Sequence, residues 1–333
     1  MLAGPAPAAG LHRRRRGTGP HGGRGRVTTE PFEHPGLLYR GSADYLAATT
    51  TFVRDALEAG RPVLVAVPAA NLDLLRGALV DDGWRITFAD MAVAGRNPGR
   101  ILPRVLLDFA GRHRGYRAAI IGEPVWAART PLELDACAIH EALINAVFAG
   151  RDATILCPYA VSTLRPAAIL NAWRTHPQIL DGGVLRRSTS YVDPLTTADD
   201  LDVPLPPVPE YAKERVVDDR ADLPRLRAFV RQAAGTMLSP DRLDDLVMAA
   251  NELVTNTLRH TRGGGRIAVW PESGVLVCQV DDAGPSPGPL AGRVPLPPDD
   301  TGGRGLLLVN DLCDLVRLHR HPAGTSVRVH VAT

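Results

Sequence analysis

The chain has 333 residues with 38 Lys and Arg against 36 Asp and Glu, and its net charge of +2 sets up no global field that would draw it to nucleic acid. It is 45% hydrophobic and 22% charged, the balance of a globular protein. No apolar run reaches the length of a membrane span, which predicts a cytoplasmic protein.

Length favours two domains over a single core. Lys213 is the only lysine and follows Tyr211 and Ala212 instead of a glycine turn, so a Walker-type P-loop is excluded throughout the chain. The cysteines, Cys137, Cys157, Cys278 and Cys313, lie far apart with no CxxC pair. They read as buried reduced thiols and not as a zinc site.

Residues 1–32 form a Gly/Pro/Ala/Arg-rich tail with Arg13 to Arg16 in a block and no apolar segment behind it. Such a composition predicts a disordered basic tail and excludes a secretory signal. Over residues 33–196, short apolar runs alternate with helical patterns. GLLYR is followed by DYLAATTTFVRDALEAG, then PVLVAVP, NLDLLRGALVDDG and WRITFAD, and the alternation continues through YRAAIIGEP, PLELDACAIHEALINAVFAG and DATILCPY. Runs such as VLVAV and AAIIG are apolar on both faces, as strands of a parallel sheet covered by helices must be. This half therefore reads as an α/β sandwich. Loops at the ends of parallel strands collect binding groups, which makes His34, Glu123, Cys157, Tyr159 and His176 the candidates for a ligand pocket. Taken singly, each is favoured in a structural role instead, with Glu123 and Tyr159 capping helices, Cys157 packing, and the Pro-Tyr and His-Pro pairs making turns.

Residues 197–212 are acidic and then proline-rich, which predicts an extended linker with few contacts between two separately folding units. The second unit, 213–333, opens with DLPRLRAFVRQAAG, whose Leu223, Leu226, Phe229 and Val230 share a helical face. A longer helix starts at Ser239 and Pro240, a cap and first-turn pair, with Asp241 favoured there by the helix dipole. Its stripe of Leu246, Ala249, Ala250, Leu253, Val254, Thr257 and Leu258 faces a core, and Glu252, Asn256 and His260 share another face.

A carboxylate and an amide one turn apart can take a proton and bind a hard cation, although the spacing alone is weak evidence. Glu141 and Asn145 repeat it as a decoy. The segments downstream of Glu252 and Asn256 give this second pair more weight. Two strands, GRIAVWPES and GVLVCQVDD, end in Asp282, Ala283 and Gly284. The Pro/Gly-rich loop from Pro285 to Thr301 has the length of a lid, and Gly302, Gly303, Arg304 and Gly305 open an apolar helix running to Val316. Backbone amides at such a helix start suit phosphate, and an Asp at a strand end can accept from an exocyclic amine.

The order ELVTN, DxG, GGRGL and GTSVRVHV resembles the GHKL ATP-binding fold, and within it the small anti-sigma-factor serine kinases. The resemblance implies a two-layer α/β sandwich that binds ATP and Mg²⁺. Glu252 would be the general base and Asn256 the Mg²⁺ ligand. Asp282 with Gly284 and Thr325 would form the adenine pocket, and Gly303, Arg304 and Gly305 the phosphate site. It further implies a sigma factor and a STAS-type anti-anti-sigma protein as partners, an activity of serine/threonine kinase type, and no direct contact with nucleic acid or membrane. The family's first glycine box often reads DxGxG, whereas Ser286 stands here for the second glycine, which bears on the hinge of the lid. A non-enzymatic ATP-dependent clamp and a sensor histidine kinase are the alternatives.

The first half, through HPGLLYR, IIGEPVW, EALINAVF, LCPY and THP, resembles the MEDS sensory domain, a RecA-like parallel-sheet module without a P-loop. That resemblance implies control by a small-molecule signal. A homodimer is compatible with either half.

Overall fold

A computed structural model describes residues 32–285, 287–295 and 303–333. The basic tail, Ser286 and Gly302 lie outside the described residues.

The first half is built from β1 (Pro35–Tyr39), α1 (Ser42–Glu58), β2 (Val63–Val67), α2 (Ala69–Ala78), β3 (Ile86–Asp90), α3 (Met91–Ala94), α4 (Pro98–Ile101), a π-helical turn (Leu102–Leu106) and α5 (Leu107–Arg112). It continues with β4 (Ala118–Gly122), α6 (Pro131–Phe148), β5 (Ala153–Ala160), α7 (Pro166–Thr175), β6 (Gln178–Asp181), β7 (Val184–Arg187) and α8 (Pro194–Asp200). The seven strands form one sheet in the order β3-β2-β4-β5-β1-β6-β7, parallel except for β7. β2 and β4 are buried along their whole length, with separate hydrophobic cores packed above and below the sheet. Their unbroken apolar sequences follow directly from that sandwiching.

The second half comprises β8 (Lys213–Val217), α9 (Leu223–Ala234), α10 (Pro240–His260), β9 (Gly265–Glu272), β10 (Val275–Asp282), α11 (Arg304–Leu312), β11 (Leu315–His321) and β12 (Gly324–Ala332). Its sheet is antiparallel, in the order β11-β12-β10-β9-β8. Helices α9, α10 and α11 lie on one face and enclose a single core with Leu276, Cys278, Val280, Val329 and Val331. The Ser239 side chain accepts from the Arg242 amide at the start of α10, with Pro240 in the first turn, as the capping pattern requires.

Two expectations change. The apolar helix ends at Leu312 instead of Val316, because Leu315 onward alternates as an edge strand on β12. The segment expected to be an extended spacer starts inside a helix. Asp193 caps α8 by accepting from the Leu195 and Thr196 amides, Thr197 and Ala198 are buried, and α8 packs on α6.

The rest of that segment is also engaged. The Asp202 carboxylate accepts from His319 Nδ1 at 2.9 Å and from Arg320 Nε at 2.7 Å, while Val208 and Ala212 pack with Trp270 on the outer face of the second sheet. Pro204, Pro206 and Pro207 themselves stay exposed, while residues on either side of them make these contacts.

The two halves meet across an interface rich in polar contacts. Asn97 donates to Asn310 O at 2.9 Å and to its Oδ1 at 3.1 Å, and Gly99 is so close that a Cβ there would stand 2.0 Å from Asn310 Oδ1. Arg104 forks onto Asp311, Arg96 pairs with Asp314, and Arg317 donates to the Leu132 carbonyl. No described helix is long and apolar enough to cross a membrane.

Candidate functional site

The site in the second half follows from strand alternation. On β10, Leu276, Cys278 and Val280 point into the core, so Asp282, two residues on, points to the helix side. On β12, Val327, Val329 and Val331 do the same, which carries Thr325 to that face directly opposite Asp282 in the ladder. Gly324 (φ +142°) makes this junction possible, since a Cβ there would lie 1.8 Å from the Asp282 carbonyl oxygen.

The Asp282 carboxylate is held in a fixed orientation. Its Oδ2 accepts from the Thr257 hydroxyl at 2.7 Å, and its Oδ1 accepts from the Gly284 amide at 2.8 Å. Thr257 is the buried α10 residue one turn after Leu253, so the core stripe of the helix and the strand end are bonded to each other. Gly284 also fits closely, because a Cβ there would stand 2.5 Å from Thr261.

At the other end of the pocket, α11 begins at Gly303, a left-handed cap with φ +76°. Only glycine adopts that conformation cheaply while turning the following amides outward. The first turn of α11 meets α10 at Gly305, where a Cβ would fall 2.9 Å from Glu252 Oε2 and 3.2 Å from Asn256 Nδ2. The half-buried carboxylate and amide therefore converge on bare backbone at a helix N-terminus. Arg304 is exposed beside them.

Between these ends lies a cavity of about 780 Å³. Leu253, Asn256, Thr257 and His260 of α10 wall one side, Val280, Asp282, Thr325 and Val327 form the floor, and Gly303 and Leu306 close the end. Residues 287–292 and Val294 of the loop cover it, and Leu195 of the first half reaches the rim. Its size and its few polar groups set among apolar walls suit a nucleotide-sized ligand. Of the sequence-predicted residues of this half, Asn256, Asp282, Gly303 and Thr325 line this pocket, Gly284 and Gly305 lie against Asp282 and Asn256, Glu252 meets Gly305, and Arg304 follows Gly303 as an exposed residue.

The described part of the loop is anchored on both sides. Leu290 packs against the core of the first half. Gly292 (φ +70°) lies against Leu306, and its carbonyl accepts from Asn310 Nδ2 at 2.9 Å. Asn310 is also the partner of Asn97, so one side chain links the loop, α11 and the first half.

The first-half candidates separate into two sites. Glu123, at the end of β4, is 2% exposed and accepts from Tyr39 at 3.0 Å, Tyr45 at 3.3 Å and Asn71 at 2.8 Å. Burial pushes its pKa up to about 7 against the pull of those donors.

His34, Cys157 and His176 come together elsewhere, and the fourth member is Glu141, the supposed decoy. His34 Nε2 and His176 Nε2 each lie 3.2 Å from Glu141 Oε2, and His34 Nε2 lies 3.3 Å from Cys157 Sγ. Burial, followed by His176, lowers the His34 pKa to about 4. Tyr159 stands edge-on to His176, at 5.5 Å between ring centres. Sequence spacing could not reveal this group, because its members come from four different elements.

Two family models match the chain. Residues 33–177 match the MEthanogen/methylotroph, DcmR Sensory domain (MEDS), and residues 216–331 match the histidine kinase-like ATPase domain. The chain joins a MEDS domain to a histidine kinase-like ATPase domain. Comparison with curated proteins finds no match. The nucleotide-sized pocket lies wholly within the ATPase domain apart from Leu195, and the His34, Glu141, Cys157 and His176 group lies wholly within the MEDS domain. A sensory domain joined to an ATPase domain supports a regulatory signalling protein that binds ATP.

Proposed function

We propose that this chain is an anti-sigma factor acting as a serine/threonine kinase on a STAS-type anti-anti-sigma partner, under control of its MEDS domain. The observation that carries this reading is the convergence of Glu252 and Asn256 on the first turn of α11, across one cavity from Asp282. Asn256 would hold Mg²⁺, Asp282 and Thr325 the adenine, and the backbone at Gly303 and Gly305 the phosphates, with Arg304 balancing their charge. When bound, Mg·ATP supplies the phosphoryl group. Glu252 takes the proton of the attacking serine hydroxyl, and its half-buried setting on α10 keeps it within reach of a partner docked at the pocket mouth.

The anchored loop supports control by the sensory half. A shift of Asn97 or of the surface under Leu290 changes how the loop covers the pocket. The same anchoring favours one alternative, an ATP-dependent clamp without transfer, because a loop fixed at its base retains nucleotide. A histidine-kinase reading fits less well, since His140 of α6 is buried at 1% exposure.

Incubation of the full chain with labelled ATP and candidate STAS partners tests the proposal. Acid-stable label on the partner, reduced by about 10² to 10⁴ in Glu252→Gln, is the expected result. Partners that bind in the presence of ATP but never acquire label would favour the clamp.

A further inference from the structure

We propose that His34 Nε2, Glu141 Oε2, Cys157 Sγ and His176 Nε2 are the four ligands of a buried tetrahedral metal site of the Zn²⁺ class. These four donor atoms all lie within 4.8 Å of one another, and their residues are at most 2% exposed. Bond lengths of about 2.0–2.3 Å around zinc give tetrahedral edges of about 3.3–3.6 Å. Three of the separations here are 3.2, 3.2 and 3.3 Å, and all six lie within 4.8 Å.

The hydrogen bonds behind the rings decide which way their lone pairs point. Asn145 Nδ2 donates to the Thr175 carbonyl at 2.7 Å, which leaves Asn145 Oδ1 as the acceptor facing His34 Nδ1 at 3.1 Å. His34 Nδ1 must therefore carry the proton. His176 Nδ1 faces the Ala172 carbonyl at 2.9 Å and must carry one too.

In the neutral rings, then, both Nε2 atoms present lone pairs to the same carboxylate oxygen. Glu141 Oε1 and Oε2 and His176 Nε2 have no hydrogen-bond partner among the described residues. Lone pairs aimed at a buried anion repel unless a cation stands between them. Ring nitrogens held by outer carbonyl acceptors are the usual support of metal-binding histidines.

The donor set also selects the ion. One sulfur, two imidazole nitrogens and one carboxylate oxygen suit Zn²⁺ and exclude the oxygen-seeking Ca²⁺ and Mg²⁺. With the Cys157 thiol proton released to solvent on binding, one thiolate and one carboxylate neutralise a dication, which satisfies a sealed site.

Four protein ligands leave no open position, so the site is structural or sensory and not catalytic. It ties the start of β1 to β5, α6 and the end of α7. Gly36 lets His176 come close, a Cβ there being 3.2 Å from the ring. The site shares no residue with the nucleotide pocket and does not depend on the kinase reading.

Metal analysis of the full chain, reduced, stripped with chelator and reloaded with Zn²⁺ alone, tests the site. Wild type is expected to hold one tightly bound zinc per chain. Cys157→Ser and His176→Ala should lose affinity by at least about 10²-fold, while Cys137→Ser, which alters a buried thiol outside the group, keeps the metal. Uptake by wild type no greater than by Cys157→Ser overturns the proposal and leaves the four groups holding protons only. Cobalt loaded into wild type keeps the test independent of how the variants fold. Intense visible bands of tetrahedral Co²⁺ with thiolate charge transfer are expected, and a pale octahedral spectrum without charge transfer overturns it.

Discussion

The same Glu-x-x-x-Asn spacing occurs twice on helices of this protein, and the two copies meet opposite surroundings. On α6, Glu141 is fully buried against two histidine rings, and the partly buried Asn145 accepts from one of them. On α10, Glu252 and Asn256 are half-buried beside an open cavity and face glycine backbone. Spacing puts two polar groups on one helix face, but the element packed against that face decides the chemistry. A sealed histidine-rich wall calls for a cation that stays, whereas a glycine-edged cleft admits a ligand that comes and goes.

The largest expected contrast is between the two glutamates. In the zinc-loaded chain, Glu141→Gln removes the buried carboxylate that balances the cation and should cost about 3–5 kcal/mol of stability, as removing one partner of a buried charge pair does. Glu252→Gln should stay within about 0.5 kcal/mol of wild type, as expected for a group in contact with solvent. Chemical denaturation of both variants checks this, and equal losses would break the comparison.

Within the first half, burial alone does not fix the behaviour of a carboxylate. Glu123 is as enclosed as Glu141, but it faces neutral hydroxyl and amide donors instead of ring nitrogens, and burial raises its pKa to about 7 against the pull of those donors. A raised folded-state value means that its contribution to stability is complete below about pH 4.5 and is lost as pH rises through about 7. Glu123→Gln should therefore match wild type near pH 4.5 and exceed it at pH 8, by up to about 3 kcal/mol. Denaturation at the two pH values provides the check, and a gain that did not vary with pH would contradict the assignment.

A smaller effect is expected where the two halves join. Asn97→Ala removes the hydrogen bonds to buried Asn310 and should cost about 1–3 kcal/mol. Because Asn310 also holds Gly292, nucleotide affinity should fall with it, by less than for any change in the pocket itself. Titration of nucleotide into this variant and into wild type measures the coupling, and unchanged affinity would uncouple the loop from the sensory half.

Much of the ATPase half is legible in the sequence, because its signals are local or alternate in a simple way. The α10 stripe assigns Leu253 and Val254 to the core, and the period-two pattern of β10 carries Asp282 to the same side. The start of β11 reads as helix because Leu315 and Val316 continue an apolar run, and only their pairing with β12 makes them a strand. The linker reads as an open spacer because prolines and acidic residues look solvated until a surface is known. Asp202 and Ala198 find theirs on β11 and α6. His34, Glu141, Cys157 and His176 are invisible as a group because the order of strands β1, β5 and β6 in the sheet, and not any spacing, brings them together.

The most direct test of ATP binding at the α10–α11 pocket is titration of Mg·ATP into the full chain and into Asp282→Ala, followed by heat and by melting temperature. Saturable binding that stabilises the wild type by a few kcal/mol at large ligand excess is the expected result. That effect should be lost in Asp282→Ala, whose pocket lacks the carboxylate fixed by Thr257 and Gly284. A wild-type chain that neither binds nor is stabilised would contradict the assignment of this pocket to nucleotide.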